Sequence, residues 1–175
     1  MTSQSARNSS PQQLLPVDAY TSPEWFERER ECLFGNEWTY AGVVTDLPNP
    51  GDYLTLRVGV HPLFVVRDSA GSLRAFHNIC RHRGTELLEG SGNTGDALVC
   101  PYHRWRYDLA GCLQGMPARA ECFPDLDLTA LTLHPASVGI FHDVIFVHPE
   151  PEPRRSFEAW LSTLDTAAWP HRMKD

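Results

Sequence analysis

The chain has 175 residues, of which 42% are hydrophobic, and its formal net charge is -7. This length favours a single domain with an ordinary core, and the acidic balance provides no general basic field for nucleic acid or an anionic membrane. Residues 1–10 lack the apolar run of a signal peptide, and no stretch approaches the length of a membrane-spanning helix, so a cytoplasmic protein is expected.

The first predicted element is an amphipathic helix within a leader segment, residues 15–38. Thr21 or Ser22 can cap its amino end, and apolar residues recur seven positions apart along it. The helix is predicted to continue to about Phe34. Gly35 is predicted to end it, because glycine tolerates the left-handed conformation that is common at the carboxyl ends of helices.

After this helix the sequence changes to short runs that are rich in β-branched and aromatic residues. Turn residues separate the runs, for example in the segment 68–71. Because the runs recur without intervening helical patterns, they predict an antiparallel all-β body. The predicted strands are 38–44, 53–60, 63–67, 73–79, 97–100, 104–109, 131–134 and 140–148.

Both ends of the chain differ in composition from this β-rich body, which is assigned to residues 39–150. Residues 1–14 are rich in Ser, Gln and Asn and are predicted to be disordered, because they cannot bury enough apolar surface to offset the entropy of ordering. Residues 151–175 begin with a Pro-rich linker. Ser156 is predicted to cap a short helix there, with apolar residues on one face.

Five cysteines are an odd number for a chain without a secretory signal, which disfavours a disulfide framework and favours metal thiolates. Two of the five form closely spaced pairs with histidines: Cys80 with His82, and Cys100 with His103. Each pair lies where a predicted strand ends in a loop, so the two loops can bring four ligands toward a common point. The other three are interpreted as ordinary small apolar residues; they are Cys32, Cys112 and Cys122.

Mixed thiolate and imidazole ligands suit either zinc or an iron–sulfur cluster. Common zinc sites place two cysteines in one segment and two histidines in the other. Here each segment is mixed, and a single residue separates Cys80 from His82. This spacing favours a binuclear cluster in which one iron takes both cysteines and the other takes both histidines. A structural zinc module is the alternative.

The four residues and their surroundings resemble the Rieske domain of ring-hydroxylating oxygenase large subunits. Arg83 and Gly84 follow the first pair, and Trp105 lies near the second. The resemblance covers roughly residues 15–153 and implies a mainly β fold. That fold would be an antiparallel Rieske-type β-sandwich with two cluster-binding loops, plus short N-terminal and C-terminal helices. Further similarity lies at residues 20–23, 36–38, 50–53 and 75–78.

The same resemblance implies the cofactor and its ligands. Cys80 and Cys100 would bind one iron of a single Rieske [2Fe-2S] cluster, and His82 and His103 would bind the outer iron. The resemblance therefore predicts that these four residues bind both the cofactor and its metal ions. The segment 114–117 resembles the family's third loop, which helps to cover the cluster.

The residues near the ligands imply a low reduction potential. Respiratory Rieske proteins resemble one another in having a second cysteine in each loop, forming a disulfide, and a serine two residues after the last histidine. This chain has Gly84 and Tyr102 in its loops and Trp105 at the serine position. We therefore predict a potential toward the end of the Rieske range near about -150 mV.

Four arginines surround the ligands and allow two interpretations. They could form a cationic rim that steers an acidic electron donor, or they could pair with local carboxylates. Arg104 also departs from the family, which usually has glycine after the second histidine, so the conformation of that loop is open at this point. The four are Arg81, Arg83, Arg104 and Arg106.

The remaining histidines are not predicted to bind metal. His142 and His148 are separated by an even number of residues on a predicted strand, which would place them on one face but too far apart to share an ion. The others have no evident partner in the sequence and are interpreted as structural or surface residues: His61, His77, His134 and His171.

Two functions follow from the resemblance. In the first, the chain is the part of an oxygenase large subunit, of the dioxygenase type used in aromatic ring hydroxylation, that takes electrons from a ferredoxin or flavin reductase. It would pass them to the mononuclear iron of an oxygenase catalytic domain or subunit. In the second, it is an independent Rieske ferredoxin-type electron carrier. For either function, we expect no mononuclear iron in this chain and no hydroxylation by it alone. A mononuclear iron that activates oxygen requires two histidines and one carboxylate as ligands, and we predict no such triad from this sequence.

Overall fold

The computed structural model describes residues 14–125 and 127–165. Two antiparallel sheets form the body, which confirms the predicted mainly β fold. The larger sheet has seven strands in the order β1-β10-β9-β4-β3-β2-β5, and the smaller has three in the order β6-β7-β8. The strands are β1 (Thr39–Val43), β2 (Asp52–Val58), β3 (His61–Arg67), β4 (Leu73–His77), β5 (Ser91–Asn93), β6 (Ala97–Val99), β7 (Arg106–Asp108), β8 (Leu113–Gly115), β9 (Pro135–Phe141) and β10 (Val144–His148).

Short helices flank and connect the sheets. They are α1 (Asp18–Thr21), α2 (Pro23–Cys32), α3 (Arg119–Cys122) and α4 (Phe157–Leu161). Over the part of the chain that the structure describes, none of the helices has the length and apolar character to cross a membrane. Of the predicted disordered tail, residues 1–13 lie outside the described residues, as do His171 and the end of the C-terminal segment, 166–175.

The amino end of α2 is capped as predicted, but its carboxyl end is not. The Ser22 hydroxyl accepts a hydrogen bond from the Trp25 amide at 3.3 Å, which selects Ser22 from the two candidate caps. Gly35 lies in a 3-10 turn and does not adopt the left-handed conformation, so that prediction is wrong. The reason is Asn36, whose side-chain amide donates to the Glu31 carbonyl at 2.8 Å and so satisfies the helix end without a left-handed residue.

Strand β3 is buried on both faces and separates two cores. Its side chains alternate, as the two-residue period of a strand requires. Phe64 and Val66 pack into a first core with the smaller sheet, whereas Leu63 and Val65 pack into a second core with β10. The first core contains both Cys80 and Cys100, so the hydrophobic core of the domain extends directly to the predicted ligands.

The predicted strand at 140–148 is wrong, because the segment is a hairpin. Strands β9 and β10 pair in antiparallel fashion, and the turn between them contains His142 at φ 47° and Asp143 at φ 67°. Polar residues tolerate this left-handed region better than β-branched residues do. The predicted strand at 131–134 is also absent; there the Leu133 amide donates to the Gly111 carbonyl at 2.8 Å in an irregular segment.

The C-terminal helix packs onto the sheet through aromatic side chains. Phe157 lies on Gly139 with no room for a Cβ, and its ring centroid is 4.9 Å from that of Trp38. The Trp38 indole donates to the Arg155 carbonyl at 3.1 Å. Ser156 accepts a hydrogen bond from the Ala159 amide, so the predicted helix and its cap are confirmed.

Asp68 organises the turn between β3 and β4. Its buried carboxylate accepts hydrogen bonds from the Ala70 amide at 3.0 Å and the Ser72 amide at 2.8 Å. It also pairs with the Arg74 guanidinium at 2.7 Å. Burial alone would raise the pKa of Asp68, but Arg74 and the two amides together hold that pKa below its usual value.

We expect Asp68→Asn to lower the free energy of unfolding by about 1 kcal/mol at neutral pH, because asparagine keeps the amide contacts but loses the half-exposed ion pair. Since the pKa of Asp68 is lower in the folded state, this stability is complete above the unfolded pKa and is lost as the pH falls through the folded pKa. Denaturant unfolding across pH measures both effects. Glu86→Gln, which removes the exposed pair with Arg57, is the control and should cost less than about 0.5 kcal/mol. A deficit in Asp68→Asn that grows in acid would contradict the assignment.

Candidate metal centre

Two loops place the four predicted ligands, and both follow strands as predicted. The first loop leaves β4 and contains Cys80 and His82; the second connects β6 to β7 and contains Cys100 and His103. Because β6 and β7 pair only over three residues, the second loop is the tip of a short hairpin. Residues 78–90, between β4 and β5, form the first.

The two loops share one backbone hydrogen-bond pattern. In the first, the Cys80 amide donates to the Thr85 carbonyl at 2.8 Å, and the Gly84 amide donates to the Cys80 carbonyl at 3.0 Å. In the second, the Cys100 amide donates to the Trp105 carbonyl at 2.8 Å, and the Arg104 amide donates to the Cys100 carbonyl at 3.1 Å. Each cysteine is therefore fixed by the residues four and five positions later. Gly84 and Arg104 occupy equivalent positions.

Both cysteines are buried, and the sulfur of Cys80 lies beside a tyrosine hydroxyl. Cys80 is 2% exposed and Cys100 is 1% exposed. Burial raises the pKa of the Cys80 thiol, and the neighbouring Cys100 adds to this effect. The Tyr107 hydroxyl lies 3.4 Å from the Cys80 sulfur and accepts a hydrogen bond from the Arg81 amide at 3.1 Å. A buried thiol such as Cys80, which is costly to ionise alone, is well suited to bind a cation, because the cation would favour the thiolate form.

The two histidines lie side by side and each has a buried nitrogen without a partner. The ring centroids of His82 and His103 are 4.6 Å apart. Neither Nδ1 atom has a hydrogen-bond partner among the described residues, although both atoms are buried. A buried polar atom without a partner costs roughly 1–3 kcal/mol, so this pair indicates a site for metal ligation. Burial, His103 and Arg83 all lower the pKa of His82, which favours the neutral imidazole that binds metals.

The four residues are arranged as two pairs rather than as a single-ion cage. Across residues 14–125 and 127–165, no group of three or more His, Cys, Asp or Glu side chains is placed to hold one metal ion. A tetrahedral zinc site would need such a group. An assembly with two metals needs only two protein ligands for each metal. Here the two cysteines would bind one metal and the two histidines the other, with each loop contributing one ligand to each.

Aromatic side chains surround the imidazoles. Trp105 is 4% exposed and stacks on His82 with centroids 4.8 Å apart, so it both packs in the core and shields the site. Phe123 approaches His82 edge-on at 6.1 Å, a contact that its place just after α3 did not suggest in the sequence. Met116, in the predicted third loop, packs against the core that contains the cysteines.

The predicted cationic rim divides into paired and unpaired arginines. Arg106 pairs with Asp96 at 3.0 Å, and Arg81 donates to His134 at 2.5 Å. Within the described part of the chain, the exposed guanidinium groups of Arg83 and Arg104 form neither an ion pair nor a hydrogen bond. Of the four arginines, only Arg106 therefore pairs with a carboxylate of the described residues, and the steering interpretation stays a prediction for Arg83 and Arg104.

Arg104 has a conformation that is unusual for a residue with a side chain. Its φ is 59°, close to the 73° of Gly84 at the equivalent position of the first loop. The second loop thus keeps a glycine-like backbone despite the substitution. Holding a non-glycine residue there costs roughly 1–3 kcal/mol, and the Arg104 side chain forms no hydrogen bond or ion pair with the described residues that would offset that cost.

The other candidate residues lie apart from the four. His142 is in the β9–β10 turn, so the prediction that it shares a strand face with His148 is wrong. His148 is buried against Trp38, and its Nδ1 accepts a hydrogen bond from the Glu150 amide at 3.1 Å. His77, interpreted as a structural or surface residue, has its Nε2 atom 2.9 Å from the Pro149 carbonyl. The three remaining cysteines are exposed, not packed in a core: Cys32, Cys112 and Cys122.

Comparisons with known proteins agree with this geometry. A family model described as the Rieske [2Fe-2S] domain matches residues 37–133. The glycine betaine monooxygenase oxygenase subunit of Chromohalobacter salexigens is 37% identical over 159 residues, which cover 91% of this chain and 35% of that protein. The chlorobenzene dioxygenase subunit alpha of Cupriavidus sp. is 38% identical over 129 residues, which cover 74% of this chain and 29% of that protein.

A solved structure shows the same fold. Naphthalene 1,2-dioxygenase from Rhodococcus sp. bound to indole superposes with a TM-score of 0.80 at 30% identity, over 88% of this chain and 35% of that chain. The chain therefore spans about a third of the length of the relatives it matches.

Proposed function

The chain belongs to the Rieske [2Fe-2S] domain family, in the form found in oxygenase large subunits, and we propose that it transfers electrons through its cluster to the mononuclear iron of such an oxygenase. The observation that carries this proposal is that the Nδ1 atoms of His82 and His103 are buried and have no hydrogen-bond partner in the described ranges 14–125 and 127–165. They lie next to two buried cysteines, on two loops that have the same backbone hydrogen-bond pattern. This donor set fits a cluster with two thiolate and two imidazole ligands.

Four residues would hold the cluster: Cys80 and Cys100 through sulfur, His82 and His103 through Nδ1. The cluster would supply a one-electron redox centre. The protein contributes a rigid, water-poor environment, because the thiols are buried in the first core and Trp105 covers one face of His82. Neutral imidazoles in place of two thiolates leave the site less negative, which makes accepting an electron easier.

The route for electrons follows from the difference in exposure between the two ligand pairs. Both cysteines are almost fully buried, whereas His82 and His103 are half-buried at the ends of their loops. A partner can therefore approach the imidazole edges but not the sulfurs. We propose that electrons enter and leave on the histidine side of the site.

The proposed partners are a ferredoxin or flavin reductase as donor and an oxygenase catalytic domain or subunit as acceptor. Relatives named for glycine betaine and for chlorobenzene match the same part of this chain. The proposal therefore concerns the electron-transfer step that they have in common. The oxygen-activating iron is proposed to belong to the portion of such subunits that this chain does not cover.

An independent electron carrier is the second candidate. The match to the glycine betaine monooxygenase subunit covers 91% of this chain, which extends well outside residues 37–133 of the family model. Because a minimal carrier has no need of the leader and C-terminal segments, this extent favours the oxygenase subunit.

Spectroscopy tests the proposal directly. We expect the purified protein to contain iron and sulfide, to absorb visible light when oxidised, and to give an EPR signal after one-electron reduction. A redox titration should place its midpoint toward about -150 mV. A colourless, EPR-silent protein that contains zinc would contradict the proposal, and a strongly positive midpoint would contradict the low-potential assignment.

A further inference from the structure

Arg104 stands at a position where the backbone favours glycine. The equivalent residue of the first loop is Gly84, and both have a positive φ within the same hydrogen-bond pattern. A Cβ at Gly84 would meet no atom of the other described residues within 4 Å, so the first loop is open at this position. The exposed Arg104 guanidinium forms no ion pair or hydrogen bond with the described residues, so it is free to contact another molecule.

We infer that Arg104, together with Arg83, is the contact site for the acidic surface of a diffusing protein electron donor. The inference rests on the proposed function, because it assigns a partner to the same site. The two residues directly follow His103 and His82 in the sequence. A carboxylate paired with either guanidinium would therefore hold the donor next to the imidazole edges.

The charge distribution supports an acidic partner. The chain as a whole carries a formal net charge of -7, so the two exposed cations beside the histidines, which have no ion pair among the described residues, are opposite in sign to the overall charge. Such a reversal both attracts an acidic protein and orients it. It also disfavours contact of that partner with the rest of the acidic surface.

A diffusing donor fits this arrangement better than a permanently attached acceptor. Exposed charges at the rim of an interface contribute little to affinity, but they raise the rate of encounter in a salt-dependent way. A permanent contact gains nothing from a faster encounter. The long, exposed guanidinium groups therefore suit a partner that binds and leaves in each reduction cycle.

Substitutions at Arg104 separate the charge from the backbone conformation. Arg104→Gln removes the charge and keeps a side chain at positive φ, Arg104→Lys keeps the charge, and Arg104→Gly removes both charge and strain. Arg28→Gln is the matched control, because it removes the same charge from an exposed residue on α2. Stopped-flow absorption would follow reduction of the oxidised cluster by a pre-reduced, acidic plant-type [2Fe-2S] ferredoxin.

At low ionic strength, we expect Arg104→Gln and Arg104→Gly to slow reduction by about three- to tenfold, with Arg104→Lys and Arg28→Gln within about twofold of the wild type. The differences should vanish at about 0.5 M salt. Reduction by a small uncharged reductant, photoreduced deazariboflavin, should be equal in all variants.

Two results would overturn the inference without affecting the proposed function: equal rates for Arg104→Gln and wild type with the ferredoxin, or an equal slowing by Arg28→Gln. A wild-type protein with no cluster would overturn both. Unequal rates with the uncharged reductant would also overturn the inference, because the substitution would then have changed the cluster and not the contact.

Discussion

Replacement of His82 or His103 by alanine is expected to leave the protein without its cluster. Each substitution removes one of two adjacent imidazoles whose Nδ1 atoms are buried without a partner among the described residues. Loss of residues that only orient a metal ligand already costs about 10- to 100-fold in affinity, so loss of a ligand should cost more than about 100-fold. Iron and sulfide content per chain, with the visible absorption spectrum, measures the effect.

The matched control for these substitutions is His142→Ala. His142 lies in the β9–β10 turn, so its removal should leave iron content and spectrum unchanged. Far-UV circular dichroism separates loss of the cluster from loss of the fold, because it measures secondary structure and not iron content. Full iron content in His82→Ala would show that this histidine is not a ligand.

The sequence was sufficient for the parts of the site that depend on local pattern. The unbroken run of β-branched and other apolar residues along β3 predicts a strand, and the structure buries both of its faces. The two closely spaced Cys and His pairs lie in two loops, as predicted from the sequence. Each loop depends on local pattern because its backbone hydrogen bonds lie within six consecutive residues. The assignment of the four as ligands remains a prediction, as do the domain bounds 39–150.

Other features depend on conformations or contacts that a single sequence does not encode locally. The run 140–148 has strand-forming residues on both sides of its turn, and only the positive φ at His142 and Asp143 reveals the hairpin. The conformation of Arg104 is fixed by its hydrogen bond to Cys100, in a loop whose match to the first is visible only in the backbone.

The environment of the cluster also includes a residue that the sequence did not suggest. Tyr107 is fully buried, and its hydroxyl reaches the sulfur of a cysteine 27 residues away. The pairing of β6 with β7 and the packing of that sheet against the larger one bring the two together. The contact is therefore tertiary, and only its geometry identifies Tyr107 as a residue that affects the site.

Tyr107→Phe is expected to lower the reduction potential. The Tyr107 oxygen accepts from the Arg81 amide, which leaves its own proton available for the Cys80 sulfur 3.4 Å away. Burial raises the pKa of Tyr107 above its usual value, so the hydroxyl stays protonated and remains a donor. A hydrogen bond to the ligand sulfur stabilises the more negative, reduced state more than the oxidised state, and its loss therefore makes reduction harder.

The size of this shift follows from the energy of one hydrogen bond. If the bond favours the reduced state by about 1–2 kcal/mol, the potential should fall by roughly 40–90 mV, since a tenfold change in a one-electron equilibrium corresponds to about 59 mV. Tyr53→Phe is the control, because its hydroxyl donates to the Glu89 carbonyl at 3.4 Å, away from sulfur; its potential should equal that of the wild type. Protein-film voltammetry of both variants gives the comparison. An unchanged potential in Tyr107→Phe, with the cluster intact, would mean that the hydroxyl donates elsewhere and that the low dielectric of the core, not this bond, sets the potential.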